Sequence, residues 1–226
     1  MSFKTILWVI LALVVVGLIG TLVYRIMRRR NGADGVNPFT LVRVVLWIVV
    51  LAVVGAGLHY TLPKREVVYI TEAANRQMVI SPNSPFWDSP GVGRVLENGD
   101  VQRDVLFINA KRADGSDAVF RNEDTGIWPP YFKFDSANLH SEALDLRSTR
   151  EAPKWVVVRY YGWRILWPVT AFPNAVSVKE VAGPDVTLIP WFNIIFLSVL
   201  VAVFWAVRVR WNRFWENRRL ARENAV

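Results

Sequence analysis

Three long runs of apolar residues divide the chain, at positions 6–24, 44–62 and 188–207. None of them contains Asp, Glu, Lys or Arg, and each has the roughly 20 residues that a helix needs to cross the hydrocarbon core of a membrane. A buried helix of a water-soluble protein keeps a polar stripe on its outer face, which these runs lack. The pattern therefore predicts an α-helical membrane anchor of three transmembrane helices.

Between the second and third runs the pattern changes to short β-branched segments bounded by turn residues. Asp114-Gly115 lies between two of them and predicts a hairpin over residues 103–122. Residues 136–147 form the one helical candidate of this region, which Ser136 can cap. We expect one extracytoplasmic, mostly-β (α+β) domain with a single short helix, and barrel closure stays open. The segments assigned to strands are REVVYITEA, RQMVIS, RDVLFINA, DAVFRNE, KWVVVRYYGWRI and NAVSVKEV, and 81–94 is assigned to a loop.

The net charge of the 226-residue chain is +8, but residues 64–187 hold 15 Lys and Arg against 16 Asp and Glu. The positive surplus lies beside the apolar runs, in segments 25–43 and 208–222. Basic residues that flank membrane helices mark the cytoplasmic side. The charge therefore predicts an orientation, and no nucleic-acid partner is expected.

The predicted organisation follows from the runs and their flanks. The first run is longer than the apolar core of a signal peptide and precedes RIMRRR, with no small-residue cleavage site, so we interpret it as a permanent anchor. The predicted parts are transmembrane helix 1 (1–25, amino terminus outside), a basic cytoplasmic loop (26–43), transmembrane helix 2 (44–62), the extracytoplasmic domain (63–187), transmembrane helix 3 (188–207) and a basic cytoplasmic tail (208–226).

Tryptophans and arginines alternate around the inner end of the third run. This composition is typical of an amphipathic helix that lies on an anionic membrane face, and a frayed basic tail is the alternative. The lipid bilayer is thus an expected partner. The predicted membrane-interface residues are Trp205, Trp211, Trp215, Arg208, Arg210 and Arg213.

The sequence carries few candidates for chemistry. It has no cysteine, its two histidines lack metal-ligand spacing, and no phosphate-binding loop or nucleophile motif occurs. No catalytic residue, metal or cofactor is therefore predicted. Glu123, Asp124 and Asp135 could bind a hard cation or act in an envelope hydrolase or lyase. Arg121 and Lys133 flank them, which favours ordinary salt bridges.

The segment RNEDTGIWPPYFKFDSANL, residues 121–139, combines an acidic turn, two prolines and several aromatics. A rigid aromatic ledge beside an acidic turn suits binding, and the same residues could instead seal a small β core. YYGWRILW, residues 160–167, places aromatics beside an arginine, as protein interfaces do, although it could also pack over the base of the domain. The predicted binding residues are Arg121, Asn122, Glu123, Asp124, Trp128, Tyr131, Trp163 and Arg164.

Five blocks in order, RDVLFI, RNEDTG, WPPYFKFDS, YGWRI and FPNAVSV, resemble the bacterial family of uncharacterised membrane proteins known as domain of unknown function 1523. The resemblance covers residues 103–178 and implies a bacterial membrane-anchored domain.

From these observations we expect a multi-pass protein of the bacterial inner membrane with its main domain in the periplasm. That domain is expected to bind another membrane or periplasmic protein, as an accessory subunit or assembly factor of a membrane complex. A membrane-anchored envelope hydrolase or lyase that uses acidic residues of segment 121–135 is the alternative.

Overall fold

A computed structural model describes residues 3–31, 38–80, 94–125, 129–166 and 170–223. In chain order its elements are α1 (Phe3–Asn31), α2 (Pro38–Thr61), β1 (Lys64–Ile80), β2 (Arg94–Val95), β3 (Val101–Lys111), β4 (Asp117–Asn122), α3 (Ser136–Asp145), β5 (Trp155–Tyr161), β6 (Asn174–Glu180) and α4 (Trp191–Glu223). The described part of the predicted domain is thus α+β. Of the predicted loop at 81–94, residues 81–93 lie outside the described residues, and Arg94 is the first residue of β2.

The strands close into a ring because β1 pairs on two sides. Its first part, Lys64–Tyr69, is antiparallel to β5, and its second part, Tyr69–Ile80, is antiparallel to β3. β3 pairs with β4 and β5 with β6, both antiparallel, while a single parallel pair joins Arg121 of β4 to Asn174 of β6. This order, with a helix between the third and fourth barrel strands, is that of the OB-fold, a partly open five-stranded barrel.

Alternation along the strands builds the core inside this ring. Val68, Ile108, Phe120 and Val156 all point inward and are fully buried. The predicted helix is confirmed as α3, which closes the barrel with Leu139. The predicted hairpin is confirmed as β3 and β4, and its turn includes Gly115 at a positive φ of 83°. That backbone conformation suits glycine because it has no Cβ.

Two predicted strands, REVVYITEA and RQMVIS, are a single strand in the structure. β1 continues through the two residues between them because Ala74 and Asn75 pair with Phe107 and Leu106 of β3. The register shifts between Ile70 and Glu72, where β1 passes from one partner to the other. One irregular strand therefore serves both halves of the barrel.

The expectation of three transmembrane helices is wrong as stated. Within the described residues two helices, Phe39–Thr61 and Trp191–Ala221, are long and apolar enough to cross a membrane. Helix α1 forms over Phe3–Asn31, but the helices that qualify among the described residues are α2 and α4. The structure supports an α+β domain between two candidate spanning helices.

Helix α4 is longer than a membrane crossing requires. It continues unbroken for 33 residues, from Trp191 to Glu223, which is about 50 Å against a hydrocarbon core of about 30 Å. The predicted interface residues all lie on this one helix and are exposed: Trp205, Arg208, Arg210, Trp211, Arg213 and Trp215. Trp205 lies within the apolar run that ends at residue 207, and the other five lie on the part of α4 that continues beyond it.

Candidate functional site

The barrel is joined to the end of α2 through the loop after β5. Gly162 donates its backbone N–H to the carbonyl of Tyr60 at 2.8 Å, and the indole Nε1 of Trp163 donates to Nδ1 of His59 at 2.7 Å. Gly162 has a φ of 94°, which strains a residue with a Cβ, and a Cβ added there would lie 3.6 Å from the ring of Tyr60. Trp163 and His59 therefore hold the domain on the helix.

A second set of contacts completes this junction. The hydroxyl of Tyr131 donates to the carbonyl of Thr61 at 2.5 Å, and its ring stacks on Tyr161 at 4.9 Å. Burial raises the pKa of Tyr131 to about 12, so the hydroxyl keeps its proton. From α4, Asn193 Nδ2 donates to the carbonyl of Pro63 at 2.9 Å. Both candidate spanning helices thus meet the barrel at the same end.

Lys133 is the centre of a buried polar cluster between β4, β6 and the segment before α3. It is 4% exposed. Its ammonium donates to the side-chain oxygen of Asn122, to the carbonyl of Ala175 at 2.8 Å and to the carbonyl of Glu123 at 3.3 Å. Burial lowers its pKa to about 8, against the favourable charges of nearby carboxylates. Three acceptors satisfy the three donors of this lysine, and we call this arrangement the Lys133 cluster.

Glu123 forms the charged edge of the Lys133 cluster. Its carboxylate accepts from Arg121 at 2.8 Å and forms an ion pair with Arg103. Arg121 is 1% exposed, so this pairing keeps a buried guanidinium neutralised. Asn174 locks the backbone here, because it accepts from the N–H of Glu123 at 2.9 Å and donates to its carbonyl at 3.0 Å. Glu123 is therefore engaged in stabilising the fold.

The other two carboxylates of the segment have different positions. Asp124 accepts from the backbone N–H of Ser136 at 2.9 Å and so satisfies the start of α3, where Asp135 makes no side-chain cap. Both aspartates are exposed. Among the residues that the structure describes, no group of three metal-ligating side chains lies together. The carboxylates of Glu123 and Asp124 have separate structural partners, and the three carboxylates do not form a shared centre.

Two exposed phenylalanines flank Lys133. Phe132 is 62% and Phe134 72% exposed, and Phe132 has a φ of 49°, which is strained for a bulky residue. The segment is pinned because Lys133 and Thr125 exchange two hydrogen bonds, at 2.8 and 3.1 Å. We call Phe132 and Phe134, with the exposed Asp124 and Asp135, the ledge. The ledge presents apolar surface from a rigid base.

The outer face of β3 and β4, where many OB-folds bind ligands, is covered by the chain itself. Phe107 on this face is 1% exposed and contacts Phe172 of the loop after β5 at 5.0 Å between ring centroids. The guanidinium of Arg164 lies 4.0 Å above the Phe172 ring. This face is therefore closed at Phe107.

Beside the covered face a groove of about 690 Å³ runs between β1, β4 and the loop after β5. Arg112 and Glu66 form an ion pair in it, and Lys64 donates to the carbonyl of Gly162 at 3.1 Å. Burial lowers the pKa of the Lys64 ammonium and of the Arg164 guanidinium. The other lining residues are Asp117, Ala118, Val119, Phe120, Tyr160, Trp163, Leu166 and Pro173. We call this cavity the groove.

The structure separates the predicted binding residues into distinct places. Arg121, Asn122 and Glu123 belong to the Lys133 cluster, Asp124 to the ledge, Tyr131 and Trp163 to the junction, and Arg164 to the groove; Trp128 lies outside the described residues. Sequence reasoning missed Lys64 and left Phe132 and Phe134 out of the site. The alternation of Phe132, Lys133 and Phe134 in the sequence was the available signal, because such alternation predicts side chains on opposite sides of a strand, although Phe132 has a φ of 49° and is not extended.

The chain is similar in sequence to a protein family and to a bacterial protein. The family model described as "Protein of unknown function (DUF1523)" matches residues 39–215, from α2 into α4. An uncharacterized protein of Haemophilus influenzae is 43% identical over 99 residues, which cover 42% of this chain and 55% of that protein. The chain thus spans about half the length of that relative. No solved structure matches the chain.

Proposed function

This chain belongs to the DUF1523 family, and on that premise we propose that it is a membrane-anchored binding protein whose barrel recognises another protein through the ledge. In this proposal α2 and α4 cross the bacterial inner membrane and the barrel lies in the periplasm. The basic residues of the two helices support this orientation, because Arg43 lies near the start of α2 and Arg208 on the late part of α4. Both helices join the barrel at their opposite ends.

The observation that carries the proposal is the exposure of two phenylalanines on a rigid base. A partner that covers Phe132 and Phe134 removes their apolar surface from water. This burial contributes about 25 cal/mol of binding free energy per Å² of apolar area. Because two hydrogen bonds to Thr125 fix the backbone of Lys133 between the two phenylalanines, little backbone conformational entropy is lost on binding. A pre-organised aromatic pair is the kind of anchor around which protein interfaces form.

Charge favours a protein partner over the bilayer at this place. The exposed carboxylates of Asp124 and Asp135 border the phenylalanines, and an anionic membrane surface would repel them. A partner with lysine or arginine at the rim would complement them. We therefore propose an accessory subunit or assembly factor whose partner presents an apolar patch with basic neighbours.

Gentle extraction of the full-length chain from native membranes, followed by mass spectrometry, tests this proposal. We expect a stoichiometric partner with the wild-type chain and its loss with the Phe132→Ala/Phe134→Ala variant. Leu144→Ala, which removes another exposed apolar side chain on α3, is the matched control and should retain the partner. Equal partner recovery from the double variant and the control would overturn the assignment of the ledge, and extraction of the wild-type chain alone would overturn the accessory-subunit proposal.

A further inference from the structure

The groove holds more positive charge than its own carboxylates neutralise. Glu66 pairs with Arg112, and Asp117 pairs with Lys111 at 2.8 Å. Lys64, also in the groove, donates to a backbone carbonyl, and in the described parts of the chain no carboxylate pairs with it.

Arg164 is the second cation of this kind. Its NH1 donates to the carbonyls of Ile165 at 3.0 Å and Ala171 at 2.9 Å, and its side chain is exposed. Among the described residues it forms no ion pair. A backbone carbonyl carries only a partial negative charge, so Lys64 and Arg164 leave the groove ready for an anion.

The groove also lies beside the ends of both candidate spanning helices. Lys64 follows the end of α2 at Thr61 by three residues, and Gly162 in the groove wall is bonded to α2. Leu166 is 74% exposed at the groove, and Trp163 lines it beside His59. The groove therefore combines two cations with a tryptophan and an exposed leucine. This composition, at the level where the helices leave the membrane, matches the zone of lipid head groups.

We propose that the groove binds the phosphate of an anionic phospholipid head group, with Lys64 and Arg164 as its ligands and Leu166 against the first part of the acyl chains. This inference rests on the membrane placement of α2 and α4 proposed above, and it assigns a ligand to a surface separate from the ledge. An acidic segment of a protein is the competing occupant. The position of the groove at the helix ends favours the lipid.

Native mass spectrometry of the detergent-solubilised full chain tests the proposal. The probes are dihexanoyl phosphatidylglycerol, dihexanoyl phosphatidylcholine and inorganic phosphate. We expect one phosphatidylglycerol to stay bound at a concentration at least about tenfold below that needed for phosphatidylcholine, since a net anionic head group satisfies both cations. The Lys64→Gln/Arg164→Gln variant should lose this preference, whereas Lys179→Gln, at an exposed lysine of β6 outside the groove, should keep it.

A charge-retaining variant separates binding from folding. Arg164→Lys should keep the preference for phosphatidylglycerol, and near-ultraviolet circular dichroism should show that each variant retains the packed barrel. Equal retention of the two lipids by the wild-type chain would overturn the proposal. Saturation by inorganic phosphate at the same concentration would assign the site to a soluble anion and overturn the lipid source.

Two further outcomes keep this inference distinct from the function proposed for the ledge. If Lys64→Gln/Arg164→Gln loses a co-extracted acidic protein while lipid retention is unchanged, the groove binds protein and the lipid assignment is wrong. The Phe132→Ala/Phe134→Ala variant should lose the partner protein and still retain phosphatidylglycerol. Its loss of the lipid would overturn the separation of the two surfaces.

Discussion

The Lys133 cluster and the groove each contain a lysine that the fold partly removes from water, but the two lysines differ in their hydrogen-bond partners. Lys133 meets three acceptors and lies beside a carboxylate that two arginines neutralise. Lys64 meets one carbonyl and faces an open cavity. The first arrangement is complete without a ligand, and the second is complete only with one. A lowered lysine pKa, which both share, therefore does not by itself identify a functional site.

The largest expected effect on stability comes from removing the carboxylate at the charged edge of the Lys133 cluster. Glu123→Gln leaves Arg103 and Arg121 without their shared carboxylate, and we expect the free energy of unfolding to fall by about 3 kcal/mol, as when one partner of a buried ion pair is removed. Glu66→Gln, which removes the groove carboxylate from a more exposed pair, should cost less than about 1 kcal/mol. Denaturant unfolding of both variants in detergent, followed by tryptophan fluorescence, gives the two values.

This variant also distinguishes the enzyme alternative. A catalytic Glu123 predicts a variant that folds as well as the wild type and lacks only activity. A stability of Glu123→Gln within error of the wild type would contradict the structural role that the two arginines give to this residue.

The next effect comes from Lys133 itself. Lys133→Met keeps the buried volume but leaves the acceptors of Asn122 and Ala175 unpaired, and we expect a loss of about 2 kcal/mol. Lys64→Gln should change the stability by less than about 0.5 kcal/mol, because its site is half open. Thermal unfolding of the two variants side by side is the measurement. A larger loss for Lys64→Gln than for Lys133→Met would reverse the comparison.

A pH series sharpens the same comparison. The folded pKa of Lys133 is about 8, below the ordinary value of 10.5, so between these values the unfolded chain holds more protons than the folded one. The free energy of unfolding should therefore rise as the pH increases from 8 to 10, by about 1.4 kcal/mol per pH unit at most. Unfolding at pH 8, 9 and 10 measures this slope, and Lys133→Met should flatten it. An equal slope in the variant would assign the effect to other groups.

The smallest effect lies at the junction. Tyr131→Phe removes one hydrogen bond to the end of α2 and keeps the stacked ring, so we expect a loss of about 1 kcal/mol. The α2–β1 connection of Tyr131→Phe should also be more sensitive to protease than that of the wild type. An unchanged stability and digestion pattern would show that the ring alone holds this contact.

Local patterns predicted much of the barrel but little of its chemistry. The hairpin and α3 followed from Asp114-Gly115 and from helical spacing, because both depend on neighbours in sequence. The sequence predicts Lys133 as a salt-bridge partner of the neighbouring carboxylates, but its ammonium donates instead to amide and carbonyl oxygens, of which the carbonyl of Ala175 lies 42 residues away. Long-range acceptors of this kind leave no periodic signal.

The prediction of the membrane helices shows the same limit of local sequence patterns. Apolar runs predicted three spanning helices, and within the described residues two helices, Phe39–Thr61 and Trp191–Ala221, are long and apolar enough to cross a membrane. The resemblance to the DUF1523 family was confirmed, and its match extends well beyond the blocks that suggested it. Neither result could place Arg164 in a groove, because that depends on how Phe172 of the loop after β5 packs against Phe107 of β3.

The double pairing of β1 has a consequence for the order of folding. β1 follows α2 directly, yet its second half waits for β3 and its first half for β5, which begins 91 residues after Lys64. Contacts this distant along the chain form slowly. During synthesis Lys64–Tyr69 therefore remains an unpaired edge until Trp155–Tyr161 has emerged, and an unpaired edge readily joins a strand of another molecule. A chain interrupted between β4 and β5 should consequently associate through this edge, and the complete chain is protected from it by closing its own ring.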